Sequence, residues 1–330
     1  MIDFTIFYKN PLSPDFSWTP RYSWDVFVSA YNSSERVNRV FENVQATSKH
    51  WLVCPEYDYS DDEMPSGNYF RADGSNEAGF IRQFAKVTPI EWTKMTVCVD
   101  TTGFIRPYLL FLLRWLVEKG VDRFDAIYSE PVHYSEKETT QFSSGGVKDV
   151  RQVAGFEGIH SRDGSNNVLI IGSGYDSMLI ASVAEAKDNA KKVQVLGLPS
   201  LRADMFQENL LRVELAQDYL GNDERFFAPA HDPFVTAQVI NEIVDRLNAQ
   251  RRITNLYLSP LATKAQVLGF GLYYLALCGK KPASIIFPVS TRYGKETSKG
   301  ISRIWKYTVD LAAIRKAAAK SSRISGGWGS

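Results

Sequence analysis

Two glutamates stand directly beyond predicted strands in the first half of the chain. Glu56 follows the apolar run at residues 51–54, and Glu130 follows the run at residues 126–128. In a parallel α/β sheet, ligands bind at the carboxyl ends of the strands, so a carboxylate there suits ribose hydroxyls, nucleophilic attack or general acid–base work. Glu130 and Glu56 are therefore the candidate catalytic residues if the protein is an enzyme.

Basic residues follow the corresponding strands of the second half. Arg292 and Lys295 come after the run at residues 285–287, and Lys264 stands where a helix is predicted to begin. A lysine in the first turn opposes the helix dipole, so Lys264 either meets an anion or is simply solvated. Guanidinium and ammonium groups at this edge suit phosphate or carboxylate groups, and all three residues are candidate ligand-binding residues.

Tyrosines accompany both groups of charged residues. Tyr134 lies shortly beyond the fourth predicted strand of the first half, and Tyr293 holds the matching place in the second half. Their rings could stack on a nucleobase, and a purely structural role is the alternative for each. Both are included among the candidate ligand-binding residues.

Two turns between a strand and a helix carry residues that suit an anion. The turn at residues 172–177 contains GxG, whose main-chain N–H groups could approach a phosphate at a helix N-terminus. Because Ser177 stands where the dinucleotide fingerprint needs a glycine, a plain tight turn is an equal interpretation. The turn at residues 100–103 carries hydroxyls that either donate to phosphate or cap a helix. The candidates from the two turns are Gly172, Ser173, Gly174, Asp100, Thr101 and Thr102.

The sequence contains none of the common catalytic or metal signatures. It has no Walker loop, no GxSxG and no HExxH. The acidic run Asp61-Asp62-Glu63 is better explained as a solvated loop than as a metal site. No metal is predicted, and the cofactor is left unknown.

Short apolar runs alternate with helical patterns along the chain, which predicts an α/β fold with parallel sheets. Four strand-like runs recur in the same order, at a spacing of 142 residues for the first two pairs and 159 for the last two. We therefore expect two tandem Rossmann-like lobes that arose from an internal duplication. The change in spacing places one insertion in the second copy, around residues 220–233.

The composition shifts suggest five segments. Residues 141–166 are rich in glycine and serine, and the chain after residue 319 is rich in serine, glycine and basic residues. The predicted segments are an N-terminal extension (1–23), a first lobe (24–140), a hinge (141–166), a second lobe (167–310) and a basic, flexible C-terminal tail (311–330).

Composition and charge exclude several classes of protein. In the 330 residues, 44% are hydrophobic and 23% charged, which is ordinary for a globular chain and unlike a disordered or coiled-coil one. The net charge of +1 argues against nucleic acid or a membrane as a partner. Three dispersed cysteines argue against a disulfide framework or a zinc site. No secretory signal and no apolar run of about 18–20 residues is present, so a cytoplasmic location is expected.

Two resemblances accompany these patterns. The segment DVFVSAYNSSER, at residues 25–36, resembles the first strand of Toll/interleukin-type (TIR) domains over about a dozen of the 330 residues. The two-lobed architecture is similar to that of the Rossmann sensors of nucleotide second messengers of the CARF and SAVED types. The second resemblance is one of architecture, which does not determine function, and no residue role is carried over from either family.

These observations lead to one main hypothesis and two alternatives. The main hypothesis is that the lobes face each other and bind a small anionic, nucleotide-derived ligand in a cleft with an acidic wall and a basic wall. The protein would then act as a sensor or regulatory subunit. A protein partner or a second copy of the chain would recognise its ligand-bound state. The first alternative is a nucleotide or nucleoside hydrolase or transferase that uses Glu130 or Glu56. The second is a scaffold subunit of a protein complex.

Overall fold

The chain folds into two compact units, neither of which is continuous in sequence. The first unit comprises Phe7–Gly145 and Thr291–Ala312, and the second comprises Met1–Ile6, Gly146–Ser290 and Ala313–Ser330. Residues 291–310, which the sequence pattern placed in the second lobe, are thus part of the first unit. The structure, a computed structural model, describes residues 2–72, 76–134, 143–221, 223–279, 281–295 and 298–324.

The elements alternate between strands and helices for most of the chain. The strands are β1 (Tyr8–Leu12), β2 (Ser23–Ala30), β3 (Gln45–Val53), β4 (Tyr69–Arg71), β5 (Val97–Asp100), β6 (Arg123–Tyr134), β7 (Ser143–Gln152), β8 (Asn167–Ser173), β9 (Lys191–Gly197), β10 (Glu224–Ala228), β11 (Asn255–Pro260), β12 (Ala283–Tyr293) and β13 (Ser298–Asp310). The α-helices are α1 (Glu35–Asn43), α2 (Glu77–Val87), α3 (Arg106–Glu118), α4 (Ser177–Ala186), α5 (Ala203–Glu214), α6 (Gln217–Leu220), α7 (Pro233–Gln250), α8 (Lys264–Leu277) and α9 (Leu311–Ile324).

The first unit is built on a seven-stranded sheet with the order β1-β13-β6-β5-β2-β3-β4. The five strands from β6 to β4 run parallel, as the alternation of strands and helices predicts. Strand β13 lies antiparallel between β6 and β1, so this sheet is mixed. The N-terminal segment predicted as an extension supplies the edge strand β1.

The second unit is built on a six-stranded sheet with the order β10-β9-β8-β11-β12-β7. Its strands from β10 to β12 run parallel. If β2, β3, β4, β5 and β6 are matched with β8, β9, β10, β11 and β12, the strand order is the same in both units. The predicted α/β class is confirmed, with mostly parallel strands in both sheets. The internal duplication stays a prediction.

Burial explains why these segments form central strands and packed helices. Every residue of β5 and β11 is buried, as expected for parallel strands covered on both faces. Helices α3 and α8 are buried along nearly their whole length. A core cluster of the first unit joins one face of its sheet to α1 and to the segment before β2 through Leu12, Phe16, Trp18, Trp24, Phe27, Val40, Val44, Cys98, Ile127, Ile301 and Ile304.

The remaining predicted segments also have a place in the structure. Strand β7 occupies most of the first part of the predicted hinge, and α9 occupies residues 311–324 of the predicted tail. Residues 325–330 lie outside the described part of the chain. All three cysteines are buried and free. Within the described ranges, no helix is both long enough and apolar enough to cross a membrane.

Candidate functional site at the carboxyl ends of the strands

Each sheet reverses its strand order at one point. In the first unit this point lies between β2 and β5, and in the second it lies between β8 and β11. The chain leaves the two strands in opposite directions there, so a crevice forms beyond their carboxyl ends, and ligands of open α/β sheets bind in such crevices. The residues that end β2 and β5 therefore lie at the edge where such a crevice forms in the first unit.

A buried polar network occupies this place in the first unit. The Ser29 hydroxyl at the end of β2 donates to Asp100 Oδ2 at the end of β5 over 3.0 Å. The main-chain N–H of Thr102 donates to Asp100 Oδ1, also over 3.0 Å. Thr102 Oγ1 in turn accepts from the main-chain N–H of Ser129 on β6 at 3.1 Å. The network thus ties the ends of three adjacent strands together.

The predicted ligand residues of the β5 turn are parts of this network. Thr101 donates through both its N–H and its hydroxyl to the main-chain oxygen of Ile127, at 2.8 and 2.9 Å. A Cβ on Gly103 would lie 2.0 Å from the main-chain oxygen of Ala30, so only glycine allows the turn to approach β2 this closely. Asp100, Thr101 and Thr102 therefore hold the strand ends in place.

Arg36 reaches this network from the first turn of α1. Its Nη1 donates to the main-chain oxygen of Ser129 at 2.5 Å, and only 8% of the residue is exposed. Its positive charge also lowers the pKa of Asp100, while burial raises that pKa by more, so the net shift is upward. A guanidinium is costly to bury unless its N–H groups and its charge are compensated.

Three buried polar atoms around Arg36 have no hydrogen-bond partner in the described part of the chain. They are Arg36 Nε, Ser34 Oγ and Ser129 Oγ. Ser34 is the N-cap residue of α1, yet its side chain caps no N–H group of the helix. Buried polar atoms are nearly always paired in folded proteins, so an unpaired group calls for a ligand, an ion or water. We call Ser34, Arg36, Asp100, Thr102 and Ser129 the carboxyl-end site.

Glu130 follows Ser129 on β6 and points to the other face of the sheet, because successive strand residues alternate. Its Oε1 accepts from the indole N–H of Trp305 on β13 at 2.7 Å, and only 3% of the residue is exposed. Burial raises the pKa of Glu130, against the opposing effects of the Trp305 hydrogen bond and the Arg303 charge. The Glu130 side chain is therefore held by a hydrogen bond to the neighbouring strand of its own sheet.

Glu56, the other candidate catalytic residue, lies in a short 3₁₀-helix after β3 and is half-buried. The Tyr108 hydroxyl on α3 donates to its two carboxylate oxygens at 2.9 and 3.0 Å. Burial raises the pKa of the Tyr108 hydroxyl, and the Glu56 charge adds to the shift, so this hydroxyl stays a donor.

The predicted basic residues of the last strand lie in the first unit and contact carboxylates there. Arg292 Nη2 lies 3.2 Å from Asp58 Oδ2, with both side chains largely exposed. Lys295 Nζ lies 2.7 Å from each carboxylate oxygen of Glu63. Tyr293 is buried, with 8% of its surface exposed. Arg292 and Lys295, two residues of the predicted basic wall, thus form ion pairs with Asp58 and Glu63 of the same unit.

Lys295 also contacts an aromatic ring, that of Tyr59, which lies beside the ring of Tyr31. Its ammonium nitrogen lies 4.4 Å from the centre of the Tyr59 ring. The Tyr59 hydroxyl accepts from the main-chain N–H of Ser33 at 2.9 Å, and burial raises its pKa to about 12. The Lys295 hydrogen bond is the main cause that lowers the pKa of Glu63 to about 2. Tyr134 ends β6, and its side chain lies outside the described part of the chain.

In the second unit, the glycines of the GxG turn are required by packing. A Cβ at Gly172 would lie 2.9 Å from the Phe270 ring, and one at Gly174 would lie 2.4 Å from the main-chain oxygen of Leu261. The Asp176 carboxylate accepts from a main-chain N–H in the first turn of α4 at 3.2 Å. A carboxylate therefore already occupies the N-terminal position that a bound anion would take.

The other two predicted residues of the second unit are also set by local contacts. The Ser173 hydroxyl donates to Gln194 Oε1 at 2.6 Å, and Gln194 Nε2 donates to Asp223 at 2.6 Å. Lys264 is the half-buried first residue of α8, whose N-terminus is capped by the Thr263 hydroxyl. The structure does not place Lys264 in the same unit as Arg292 and Lys295.

The carboxyl edge of the second sheet also carries unpartnered buried atoms. Among the described residues, Asn209 Oδ1, Ser259 Oγ and Gln266 Oε1 make no hydrogen bond. Ser259 pairs with Ile171 beside the point where the strand order reverses. Unlike the carboxyl-end site of the first unit, this set contains no cationic side chain.

Ser34, Arg36 and Ser129 are the residues of the first-unit site that sequence reasoning missed. None of the three is among the candidate ligand-binding residues chosen from the sequence pattern. The helical spacing of the sequence does indicate that Arg36 is buried. It stands next to Val37 and four residues before Val40, so it lies on the apolar face of α1. An arginine at a core-facing position is unusual enough to mark a site.

The described residues contain no group of three or more His, Cys, Asp or Glu side chains that could hold a metal ion. The arrangement at the first unit instead combines hydroxyl groups, the buried Arg36 guanidinium and the buried Asp100 carboxyl, and the guanidinium and hydroxyls are groups that can donate to an anion. In comparisons with known proteins, no family model and no curated protein matches this chain.

Proposed function

We propose that the first unit binds a small anionic, nucleotide-derived ligand at the carboxyl-end site, and that the protein acts as a sensor or regulatory subunit for that ligand. The observation that carries the proposal is the buried Arg36 guanidinium, whose Nε has no partner among the described residues beside two equally unpartnered serine hydroxyls. An anionic group bound at this place could accept hydrogen bonds from such donors.

The position of the site supports the proposal. It lies where the strand order reverses and at the N-terminus of α1, whose dipole favours a negative charge. The N-cap serine leaves its side chain available there, whereas Asp176 fills the corresponding position of α4 in the second unit. A phosphate group fits this set of donors well, because it presents several acceptor oxygens to a guanidinium and to hydroxyls.

The neighbouring rings of Tyr31 and Tyr59 favour a nucleotide-derived ligand over a simple anion. Half-buried Tyr31 directly follows β2 and precedes the loop that leads to Ser34. Its ring lies 5.0 Å from the ring of Tyr59, centre to centre. A ring in this setting could stack on a base whose phosphate is held by Arg36.

The test measures retention of nucleotides by the pure protein. The protein is incubated with a panel containing NAD, nucleoside triphosphates and cyclic oligonucleotides, and the bound and free fractions are analysed by mass spectrometry. A compound retained unchanged supports the proposal. Retention of no compound would contradict it.

Two serine variants then test the site itself. Ser34→Ala and Ser129→Ala remove hydroxyls that bond to no other described atom, so we expect the fold to tolerate them. Each should weaken binding of the retained compound by about tenfold or more, the value of a hydrogen bond to a charged group. Ser259→Ala is the matched control, because it removes a buried, unpartnered hydroxyl from the other unit. Equal affinities in all variants would place the ligand elsewhere.

A second candidate function is a nucleotide or nucleoside hydrolase or transferase. The observation in its favour is Glu130, because burial raises its pKa and a general acid must hold its proton near neutral pH. The same incubation would then consume a compound instead of retaining it. Glu130→Gln should abolish that turnover and preserve binding, while unchanged turnover in both Glu130→Gln and Glu56→Gln would exclude this role.

A further inference from the structure

A cavity of about 450 Å³ lies among three helices of the second unit. Helices α7, α8 and α9 form its walls, and Ile2 near the N-terminus adds to the lining. Its volume is within the range of about 300–1,000 Å³ that is usual for small-molecule sites. It lies in the other unit from the carboxyl-end site.

The wall of the cavity presents more apolar than polar surface. Val244 of α7 is 5% exposed, Leu277 at the end of α8 also lines the cavity, and the ring of buried Tyr273 lies beside them. A hydrocarbon chain placed against these side chains would leave water, and its burial stabilises a complex roughly in proportion to the apolar area removed from water. The wall chemistry therefore suits an apolar chain or ring.

Lysines give the cavity an excess of positive charge. Lys281, Lys316 and Lys320 line it, and Asp245 is the one carboxylate among its lining residues. Lys316 and Lys320 stand one turn apart on α9, a spacing at which like charges repel each other on a helix. Among the described residues, no ion pair or side-chain hydrogen bond is found for either of these two ammonium groups. An anionic group between them would relieve this repulsion.

We propose that this cavity binds a small amphipathic anion, a molecule with a carboxylate head and a hydrocarbon chain of medium length. The carboxylate lies between Lys316 and Lys320, and the chain lies against Val244 and Leu277. The complementarity of charge and of apolar surface selects this class over a neutral alcohol of the same length and over a short, fully polar anion.

The test uses decanoate as the probe, with decanol and acetate for comparison. Binding to the full-length protein is measured by isothermal titration calorimetry at concentrations below micelle formation. We expect saturable decanoate binding near one molecule per chain, with binding of decanol and of acetate weaker by on the order of tenfold or more. Equal binding of decanol would overturn the proposal, as would the absence of decanoate binding.

A charge-reversed variant localises the site. Lys316→Glu combined with Lys320→Glu should weaken decanoate binding by on the order of tenfold, since both contacts become repulsive. The matched control is Lys86→Glu combined with Lys119→Glu, which makes the same change of net charge at another concave surface. Circular dichroism checks that both double variants fold. An equal loss in the two double variants would overturn the proposal, because the effect would then follow net charge and not this cavity.

Discussion

The guanidinium of Arg36 donates to the main-chain oxygen of Ser129 at 2.5 Å, and both residues are buried. This contact ties the first turn of α1 to β6, beyond the carboxyl ends of β2 and β5. It satisfies one N–H group of Arg36 and leaves Nε unpartnered among the described residues. If the first unit binds an anion as proposed, binding should depend most strongly on Arg36, whose buried guanidinium is the cationic group of the carboxyl-end site.

Replacement of Arg36 should remove stabilisation of the protein by anions. A ligand that binds only the folded state raises its stability, by about 2.7 kcal/mol at a concentration of 100 times the dissociation constant. We expect pyrophosphate to raise the melting temperature of the wild-type protein in a concentration-dependent way and to have no such effect on Arg36→Met. Thermal unfolding followed by circular dichroism measures both.

Arg39→Met is the control for this measurement. Arg39 lies on the same helix, is partly exposed and pairs with Glu35 over 3.2 Å. Its variant should keep the pyrophosphate effect. If Arg36→Met also keeps the effect, pyrophosphate binds somewhere other than the carboxyl-end site.

The raised pKa of Glu130 predicts a specific pH dependence of stability. Below the ordinary pKa of 4.5, Glu130 is protonated in both the folded and the unfolded chain. As the pH rises, the unfolded chain loses this proton first, so stability falls until the folded-state pKa is passed. Glu130→Gln lacks this loss, and the wild type should therefore lose stability relative to the variant over that interval. Urea unfolding at a series of pH values from 4 to about 8 measures the difference.

Trp305→Phe provides an independent check on the same group. Its indole N–H donates to Glu130 and lowers the pKa of that carboxyl. Without this hydrogen bond, the decline in stability should extend to higher pH. A difference between wild type and Glu130→Gln that does not change with pH would contradict the assignment.

Removal of Lys295 should raise the pKa of Glu63. The Lys295 hydrogen bond is the largest cause that holds this pKa at about 2, below the ordinary value of 4.5. In the wild type, the pair stabilises the folded chain above pH 4.5 and ceases to do so as the pH falls toward 2. NMR titration of the carboxyl carbon should show a higher pKa for Glu63 in Lys295→Met. Arg292→Met, which removes a contact to Asp58 instead, should leave Glu63 unchanged.

A methyl group at Gly103 should destabilise the first unit. The added Cβ would lie 2.0 Å from the main-chain oxygen of Ala30, a distance that requires the backbone to move. Overpacking of this kind typically costs about 1–3 kcal/mol. Gly279→Ala is the control, because a Cβ there has no neighbour within 4 Å. Chemical unfolding of the two variants compares them, and equal stabilities would show that the turn adapts without cost.

Much of the α/β framework could be predicted from local patterns in the sequence. Apolar runs bounded by turns identified β2, β5, β8 and β11, because central parallel strands are buried on both faces and read as continuous apolar segments. The rule that ligands bind at the carboxyl ends of parallel strands selects Asp100, Thr101 and Thr102 from the sequence alone. The structure places these residues at the point where the strand order of the first sheet reverses.

The partners of the charged residues could not be predicted in the same way. Lys295 and Glu63 are 232 residues apart in the chain, and no local period relates them. Lys295 lies just before β13, which pairs antiparallel with β6 in the first sheet and buries Ile301 and Ile304 in the core cluster. Long-range pairing of this kind is a property of the whole packed unit.

The sequence by itself determined the class of fold and the residue types at the strand ends, since both follow from the periodicity of apolar residues and from turn chemistry. Only the tertiary structure decided which of those residues form a site. It paired Arg292 and Lys295 with carboxylates of their own unit, and it buried Arg36 against Ser129. The physical reason is that a charge acquires its role from its burial and its partners, and segments distant in the chain supply both.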